Sequence, residues 1–365
     1  METKTRPYKA IPPGEILKDE LEARGWNQGD FAEIVGRPLQ AVNEILMGKK
    51  SITPETAVLF SRALGTTPEF WLNLESAYRL DLLHKEERGP DHVTRRSKLY
   101  SKAPVKELVR RRWIKPSKSP DQLEAEVCTF LGISNIDEEP AIAANFKKSD
   151  KGNIDTPSLI AWVRKAEIEA RKFSCKTFDS VKLKDALPEL VRLSTEDKAL
   201  SEIPDRLCEL GIRLVFVPHL PQTRVDGAAF WLDRKSPVVA LSLRMDRADN
   251  FWFTLIHELV HIRDDSRGGA GYLDKDIMQE PQNANEKQVN QKTRNLLIPP
   301  ALFRNFMMKN KPYFSRSVVL SFASDMGIHP AIVVGRLHYE KALPYTHLRN
   351  VMSKVRPIVA RHIAA

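Results

Sequence analysis

The sequence predicts an α+β fold that begins with an all-helical N-terminal domain. Residues 12–83 contain short apolar segments with helical spacing, separated by Gly and Pro. From residue 211 onward, three short runs rich in Val, Ala and Phe are typical of strands, and an apolar helical segment follows them. We therefore expect three regions: a helical domain at 1–83, a basic helical middle region at 84–200, and a domain with a small sheet at 201–365.

Cap and turn residues set the expected element boundaries. Gly25 should end a first helix, Gly36 should make the turn after a second helix from Gln28, and Gly48 should end a third. Two Thr-Pro pairs begin further helices, Thr53-Pro54 and Thr67-Pro68. Beyond them, helices are expected at 121–131, 158–173, 248–263, 285–297 and 315–326, and strands at 211–217, 227–232 and 237–243.

The composition is that of a globular protein, with 42% hydrophobic and 28% charged residues. No apolar run reaches the ~20 residues that a membrane span requires, so we expect no membrane partner. Cys128, Cys175 and Cys208 lie far apart without C-x-x-C spacing, which predicts neither a disulfide framework nor a thiolate metal site. A reducing, cytoplasmic location is therefore the expectation.

Positive charge is concentrated after the N-terminal domain. Of the net charge of +10, residues 1–83 contribute −2 and the stretch 85–118 contributes +8. That basic stretch either supplies phosphate contacts to a nucleic acid or is a solvated helical linker, and the charge count fits both.

The segment His257-Glu258-Leu259-Val260-His261 is an H-E-x-x-H pattern inside the apolar helix expected at 248–263. Residues four apart share a helix face, so both imidazoles can reach one metal ion. Glu258 would lie beside the ion but outside its ligands, which is the position of a general base. The alternative is a surface helix with two hydrogen-bonded histidines.

A catalytic zinc usually takes three protein ligands, so a third must come from elsewhere in the chain. Glu286 opens the helix expected at 285–297 and would be held on a rigid element. Spacing alone ranks Glu286 only slightly above Glu280. The other downstream candidates are Asp264, Asp265, Asp274 and Asp276.

Residues 200–345 resemble the ImmA/IrrE family of metallopeptidases. That family combines an H-E-x-x-H helix with a second helix of the form E-x-x-A-N-x-F-A-x-x-L-L-x-P. The stretches 225–231 and 328–337 also resemble its longer members. The second-helix pattern is matched here by Glu286, Asn290, Leu296, Leu297 and Pro299, and departs from the family at Val289, Lys292 and Thr293.

This resemblance implies a zincin-like domain with Zn²⁺ as its cofactor. It assigns His257, His261 and Glu286 as the zinc ligands and Glu258 as the catalytic base. The three departures fall at packing positions, so they concern the fit of the second helix more than the ligand. The general acid is not identified: His329 is a candidate, although a structural histidine suits its position better.

Residues 12–83 resemble helix-turn-helix antitoxins of the HigA type, in the XRE family. The matching residues are Pro13-Gly14-Glu15-Ile16-Leu17, Gln28, Gly48-Lys49, Ile52-Thr53, Ala57, Leu64-Gly65 and Phe70-Trp71.

In such a fold the third helix enters the major groove of double-stranded DNA. Contacts to phosphate would then come from Gln28, Lys49 and Lys50. Contacts to base edges would come from Arg37, Gln40, Asn43 and Glu44. Because residues 1–83 carry a net charge of −2, a five-helix protein-interaction domain without DNA affinity remains the alternative.

Two interpretations of the whole chain follow. In the first, a DNA-binding transcriptional regulator carries a zinc endopeptidase that cleaves a regulatory protein. In the second, an antitoxin and autorepressor binds its operator and a toxin, and the metallopeptidase fold is a sensing or binding domain without turnover. Both interpretations predict a cytoplasmic homodimer with operator DNA as a partner.

Overall fold

The computed structural model describes residues 11–86, 92–140, 155–264 and 284–364 of the 365-residue chain. Two compact units make up the chain, Met1–Thr94 and Arg95–Ala365.

Five helices form the N-terminal unit, and capping residues fix their ends. The Asn27 side chain accepts a hydrogen bond from the Asp30 amide, while the Asp30 carboxylate accepts one from the Asn27 amide, each at 2.9 Å. This reciprocal pair starts the second helix. The helices are α1 (Pro13–Arg24), α2 (Gln28–Ile34), α3 (Leu39–Leu46), α4 (Pro54–Leu64) and α5 (Pro68–Glu86).

An aromatic cluster fills the interior of this unit. Phe31, Phe60 and Trp71 are fully buried together with Leu17. Ring centroids lie 5.1 Å apart for Phe31 and Phe60, and 5.5 Å apart for Phe60 and Trp71, in edge-to-face contact. The N-terminal unit therefore has a hydrophobic core of its own.

The C-terminal unit combines helices with one three-stranded sheet. The strands are β1 (Arg213–Phe216), β2 (Gly227–Trp231) and β3 (Pro237–Leu241). Its helices are α6 (His92–Lys102, whose first residues fall in the N-terminal unit), α7 (Val105–Arg110), α8 (Pro120–Leu131), α9 (Thr156–Ala170), α10 (Ser180–Arg192), α11 (Ile203–Glu209), α12 (Ala248–Asp264), α13 (Ala284–Leu297), α14 (Pro300–Asn310), α15 (Arg316–Met326), α16 (Pro330–Tyr339) and α17 (Arg356–Val359).

The sheet has the order β1-β3-β2, so β3 is central. It pairs in parallel with β1, with Val215 opposite Ala240, and antiparallel with β2, with Ala229 opposite Val239. All five residues of β3 are buried. Because successive side chains point to opposite faces, a strand buried throughout must be covered on both sides.

Helices cover both faces of the sheet. Val239 and Leu241 belong to the core that contains α10, α12 and α16. Val238 and Ala240 belong to the second core, which contains α8 and α9. The site described below lies on the α12 side.

This layering divides the chain differently from the three expected regions. Helices α8 to α10 were assigned to a separate middle region at 84–200, but they pack onto the sheet from opposite sides. The physical reason is the buried central strand, which needs a second helical layer that the described residues of 201–365 do not provide.

The structure also corrects the expectation drawn from the cysteines. Cys175 and Cys208 form a disulfide, although 33 residues separate them. They meet because α11 lies beside the segment after α9, where the Lys176 amide donates to the Cys208 carbonyl oxygen at 3.1 Å. Cys128 is buried and free.

Among the described residues, no single helix is long and apolar enough to cross a membrane. Helices α15 and α16 pass that test only as a pair, and the chain bends by 115° between them.

Candidate metal centre and nucleic-acid interface

Helix α12 holds both predicted histidines on one face. Trp252, Leu255 and Leu259 are fully buried and fix the helix in the core of the C-terminal unit. The i to i+4 spacing then brings the Nε2 atoms of His257 and His261 to 3.0 Å from each other.

Glu286, near the start of α13, completes a cluster with these histidines. Its Oε2 lies 3.4 Å from the Nε2 of His257, and its Oε1 lies 3.1 Å from the Nε2 of His261. The three potential ligand atoms all lie within 4.8 Å of one another. Helix α13 packs along α12, which makes this convergence a consequence of the fold.

The donor set of this cluster fits a zinc ion. Two imidazoles and one carboxylate form a known catalytic ligand set, and zinc–ligand distances of about 2.0–2.1 Å place ligand atoms roughly 3.3 Å apart in a tetrahedral site. The observed separations of 3.0, 3.1 and 3.4 Å bracket that value. His261 and Glu286 are each only 8% exposed, so water does not screen the site well. The three electron-rich atoms that converge there repel one another unless a proton or a cation lies between them.

Electrostatics keep the Glu286 carboxylate ionised. Burial raises the pKa of Glu286, but the hydrogen bonds and charges of His257 and His261 outweigh burial and lower the pKa to about 2. The carboxylate is therefore in its metal-binding form at neutral pH.

Glu258 lies next to the cluster without belonging to it. It is 8% exposed and lines a cavity of about 330 Å³ together with His257, His261 and Glu286. Its carboxylate thus faces the same space as the three potential ligands, as a proton acceptor for a reacting water would.

Strand β2 lies close to Glu258 because Gly227 has no side chain. A Cβ atom at Gly227 would come within 2.5 Å of the Thr254 Cγ2 atom, 3.0 Å of the Glu258 Oε1 atom and 3.0 Å of the Leu241 Cδ2 atom. The glycine therefore allows the close approach of strand and helix that forms one wall of the cavity.

Four polar residues that line the cavity were not predicted as site residues from the sequence: Arg224, Asp226, Asn250 and Thr254. Asp226 makes a two-pronged ion pair with Arg244, at 2.9 and 3.0 Å, and Asn250 lies two turns before His257 on α12. Asp226 falls in the stretch 225–231 that resembles known metallopeptidases, which was the available signal. Nothing local to Asn250 distinguishes it from another helix residue.

The remaining predicted participants lie elsewhere. Asp264 binds Arg263 at 2.7 Å and Lys292 at 2.8 Å, so its carboxylate is engaged. Asp265, Asp274, Asp276 and Glu280 lie outside the described residues. His329 caps α16 by accepting a 2.9 Å hydrogen bond from the Ala331 amide, a structural role.

In the N-terminal unit, α2 and α3 form a helix-turn-helix. Gly36 has a φ of 62° in the turn, a left-handed conformation that glycine adopts without strain. Gln28 is the first residue of α2, and Arg37 lies in the turn between the helices.

The predicted DNA-contacting residues share one region of this motif. Gln28, Arg37, Gln40, Lys49 and Lys50 are exposed. Asn43 and Glu44 are half-buried on α3, and Gln40 donates a 3.0 Å hydrogen bond to Glu44. The exposed polar side chains leave this surface open to a partner.

The basic stretch 85–118 is not a solvated linker where it is described. Leu99 and Leu108 are fully buried in the core of the C-terminal unit. Several of its cations also bind acidic residues of the same unit, which reduces the positive charge available to a partner. These pairs are Arg95 with Asp121 and Glu124, Lys98 with Asp137, Lys102 with Glu139, and Arg110 and Arg111 with Glu107.

Comparisons with known proteins concern the N-terminal part of the chain. The family described as Helix-turn-helix matches residues 17–71. The chain is similar to the uncharacterized HTH-type transcriptional regulator YddM of Escherichia coli (strain K12), at 32% identity over 68 residues, which are 19% of this chain and 72% of that protein. It is similar to antitoxin HigA-1 of Vibrio cholerae serotype O1, at 39% identity over 79 residues, which are 21% of this chain and 71% of that protein.

Solved structures match a similar share of this chain. An addiction module antidote protein of a HigA family from Coxiella burnetii is 37% identical, with a TM-score of 0.21, over 23% of this chain and 99% of that one. Antitoxin HigA of Pseudomonas aeruginosa with the higBA promoter is 29% identical, with a TM-score of 0.21, over 22% of this chain and 98% of that one.

Proposed function

The chain belongs to the helix-turn-helix family through residues 17–71, and we propose that it is a DNA-binding transcriptional regulator with a zinc-dependent endopeptidase site in its C-terminal unit. The observation that carries the enzymatic half is the convergence of His257, His261 and Glu286 beside Glu258. The DNA-binding half rests on family membership and on the exposed polar surface of α2 and α3.

The helix-turn-helix provides both kinds of DNA contact. A major groove about 12 Å wide admits one α-helix, and α3 is the helix that follows the turn. Arg37, Gln40, Asn43 and Glu44 would contact base edges, whereas Gln28, Lys49 and Lys50 would contact phosphates. A homodimer would recognise a two-fold operator in double-stranded DNA.

In the C-terminal unit, His257, His261 and Glu286 are the residues that would hold Zn²⁺. Zinc held there would supply Lewis-acid activation of water and of a peptide carbonyl. Glu258 would accept a proton from the attacking water and return it to the leaving amine. Partial enclosure of the cavity strengthens the electrostatic interactions of these groups by excluding bulk water. The proposed substrate class is a regulatory protein.

A second function is favoured by one of the relatives. Antitoxin HigA-1 of Vibrio cholerae is 39% identical over its matched region. By this likeness the chain would be an antitoxin and autorepressor that binds a toxin, with the C-terminal unit serving as a binding domain without turnover. The two functions differ in their prediction for Glu258: only the endopeptidase function predicts cleavage that is lost when Glu258 is substituted.

The first prediction concerns Glu258→Gln, which keeps the size of the side chain but removes its basicity. Zinc content should be unchanged, and cleavage should fall by about 10²-fold or more, the scale of general-base loss. N-terminal proteomics of cells that express the full chain measures the new protein termini that it generates.

Glu189→Gln is the matched control, because Glu189 is an exposed glutamate of α10, 72% solvent-accessible, in the same unit. It should leave the new termini unchanged. If the wild type generates no termini that Glu258→Gln lacks, the endopeptidase function is wrong and the antitoxin function is favoured.

The second prediction concerns DNA binding by the full chain to its own promoter. Each lost phosphate contact reduces the salt dependence of the binding constant by about 0.9. Because the proposed homodimer loses two contacts from each protomer, Lys49→Gln/Lys50→Gln should reduce the logarithmic salt slope by about 3.6. Fluorescence anisotropy over a salt series measures that slope. Lys18→Gln, on the exposed surface of α1, should leave it unchanged. Equal slopes for the double variant and the wild type, or no promoter binding, would favour a protein-interaction domain.

A further inference from the structure

A second cavity adjoins the candidate metal centre in the C-terminal unit. Its volume is about 500 Å³, and residues from α12, α13 and α16 line it. It shares Asn250 and Phe253 with the cavity at the metal centre, so the two are neighbours along α12. The proposed peptidase chemistry assigns this second cavity no role.

Two arginines that line the second cavity, Arg294 and Arg336, have N–H groups that no acidic residue of the described ranges binds. The Nη2 of Arg336 binds Glu340 at 2.9 Å, but its Nε and Nη1 atoms are buried and have no hydrogen-bond partner in the described parts of the chain. Burial lowers the pKa of Arg336, and the charge of Arg294 lowers it further against the opposing effect of Glu340. A buried guanidinium with free N–H groups beside a second cation favours an anion.

Arg294 is also poorly neutralised by the residues around it. Its guanidinium stacks over the Tyr339 ring at 4.6 Å and donates to the Gln291 side chain at 2.9 Å, and neither partner carries a negative charge. The cavity does contain Asp249, but Arg247 binds both oxygens of that carboxylate, so Asp249 does not offset the other arginines.

Apolar residues form the rest of the cavity wall. Phe253, Leu297, Ile298 and Ile332 line it together with Tyr345. A charged inorganic ion would leave these apolar surfaces uncovered. The lining therefore suits a ligand that has an apolar body and one anionic group.

We propose that the second cavity binds an organic carboxylate, with the carboxylate on Arg294 and Arg336 and an apolar body against Phe253 and Ile332. Nε and Nη1 of Arg336 lie on different edges of the guanidinium, so each can donate one hydrogen bond and the carboxylate would bridge one of them and Arg294. The carboxylate comes either from a free organic acid or from an acidic residue of a peptide held at the metal centre.

The peptide source is compatible with the distance along α13. Arg294 follows Glu286 by eight residues of that helix, which corresponds to about 12 Å. An extended peptide covers that distance in about three residues. A substrate would then carry Asp or Glu about three residues from the bond that is cleaved. This source rests on the proposed function, whereas binding of a free acid does not.

Ligand-observed ¹⁹F NMR with 3-(4-fluorophenyl)propionate and the full chain tests the proposal without requiring activity. The acid should bind at least about tenfold more tightly than its neutral amide, since hydrogen bonds to charged groups are worth that factor or more. Arg336→Gln and Arg294→Gln should each weaken the acid about tenfold. Arg294 has no buried donor without a partner, so its variant remains informative if Arg336→Gln does not fold.

Arg316→Gln is the control, because Arg316 is an exposed arginine at the start of α15 outside the cavity. It should bind the acid as the wild type does. Equal binding of acid and amide, unchanged binding in both cavity variants, or no binding at millimolar acid would each overturn the proposal.

Competition then identifies the source of the carboxylate. If the acid inhibits cleavage competitively, and Arg294→Gln raises KM only for substrates with Asp or Glu near the cleaved bond, the carboxylate belongs to the substrate. If the acid binds while cleavage is unaffected, the ligand is a free acid. A chain without any cleavage contradicts the proposed function but leaves the binding result to decide the cavity.

Discussion

The space beside Glu258 depends on a single residue of strand β2, Gly227. The Cβ of any other residue would lie 2.5 Å from the Thr254 methyl carbon and 3.0 Å from a carboxylate oxygen of Glu258. The first of these distances is shorter than real Cβ contacts, so strand β2 and helix α12 would have to separate. The absence of one carbon atom therefore keeps the strand beside Glu258.

Gly227→Ala should destabilise the C-terminal unit by about 1–3 kcal/mol, the usual range for overpacking a core. Differential scanning calorimetry of the full chain measures its unfolding transition. Adding Thr254→Ser removes the methyl group that the new Cβ meets and should restore much of the loss. Thr254→Ser alone is the control. A Gly227→Ala protein that melts like the wild type would show that β2 moves away from α12 at little energetic cost.

Sequence reasoning anticipated part of the candidate site. The H-E-x-x-H spacing was sufficient to group His257, His261 and Glu258, because they belong to one helix. Glu286 could be preferred only through a family resemblance, since spacing does not show which distant carboxylate the fold brings near. Arg336 was missed for the same reason: it contributes through burial and through a neighbour on another helix, and neither has a local pattern.

At the scale of elements, helices with clear caps were predicted well. Helix α4 follows Thr53 and ends at Gly65, which has a φ of 71° as expected for a helix C-cap. The third strand was expected at 237–243 but ends at Leu241. The Ser242 amide still donates to the Asp226 carbonyl oxygen in register with β2, but Leu243 has a φ of 51°, which takes the backbone out of the extended conformation. Hydrophobic alternation does not report that change of backbone direction.

The basic stretch shows what charge counts omit. Its +8 charge suggested either a linker or a phosphate-binding segment. Helices α6 and α7 instead place Leu99 and Leu108 in a core, while acidic residues up to 39 positions away bind several of the cations. Such long-range pairs depend on the tertiary fold, so neither the burial nor the pairing could be read from the composition of the stretch.

At the scale of the whole molecule, the chain contains two units with cores of their own. The helix-turn-helix expectation is confirmed over residues 17–71. The zincin-like domain and its metal stay predictions, supported by the side-chain cluster on α12 and α13. The proposed peptidase function therefore rests on whether the C-terminal unit binds a metal.

The most direct test is the zinc content of the purified full chain, measured by elemental analysis. We expect about one equivalent in the wild type and almost none in His257→Ala/His261→Ala, which keeps only one of the three proposed ligands. His347→Ala, at an exposed histidine of the same unit, should retain the metal, and promoter binding by all three proteins should be equal. Full zinc content in His257→Ala/His261→Ala, or none in the wild type, would contradict a zinc centre at His257, His261 and Glu286.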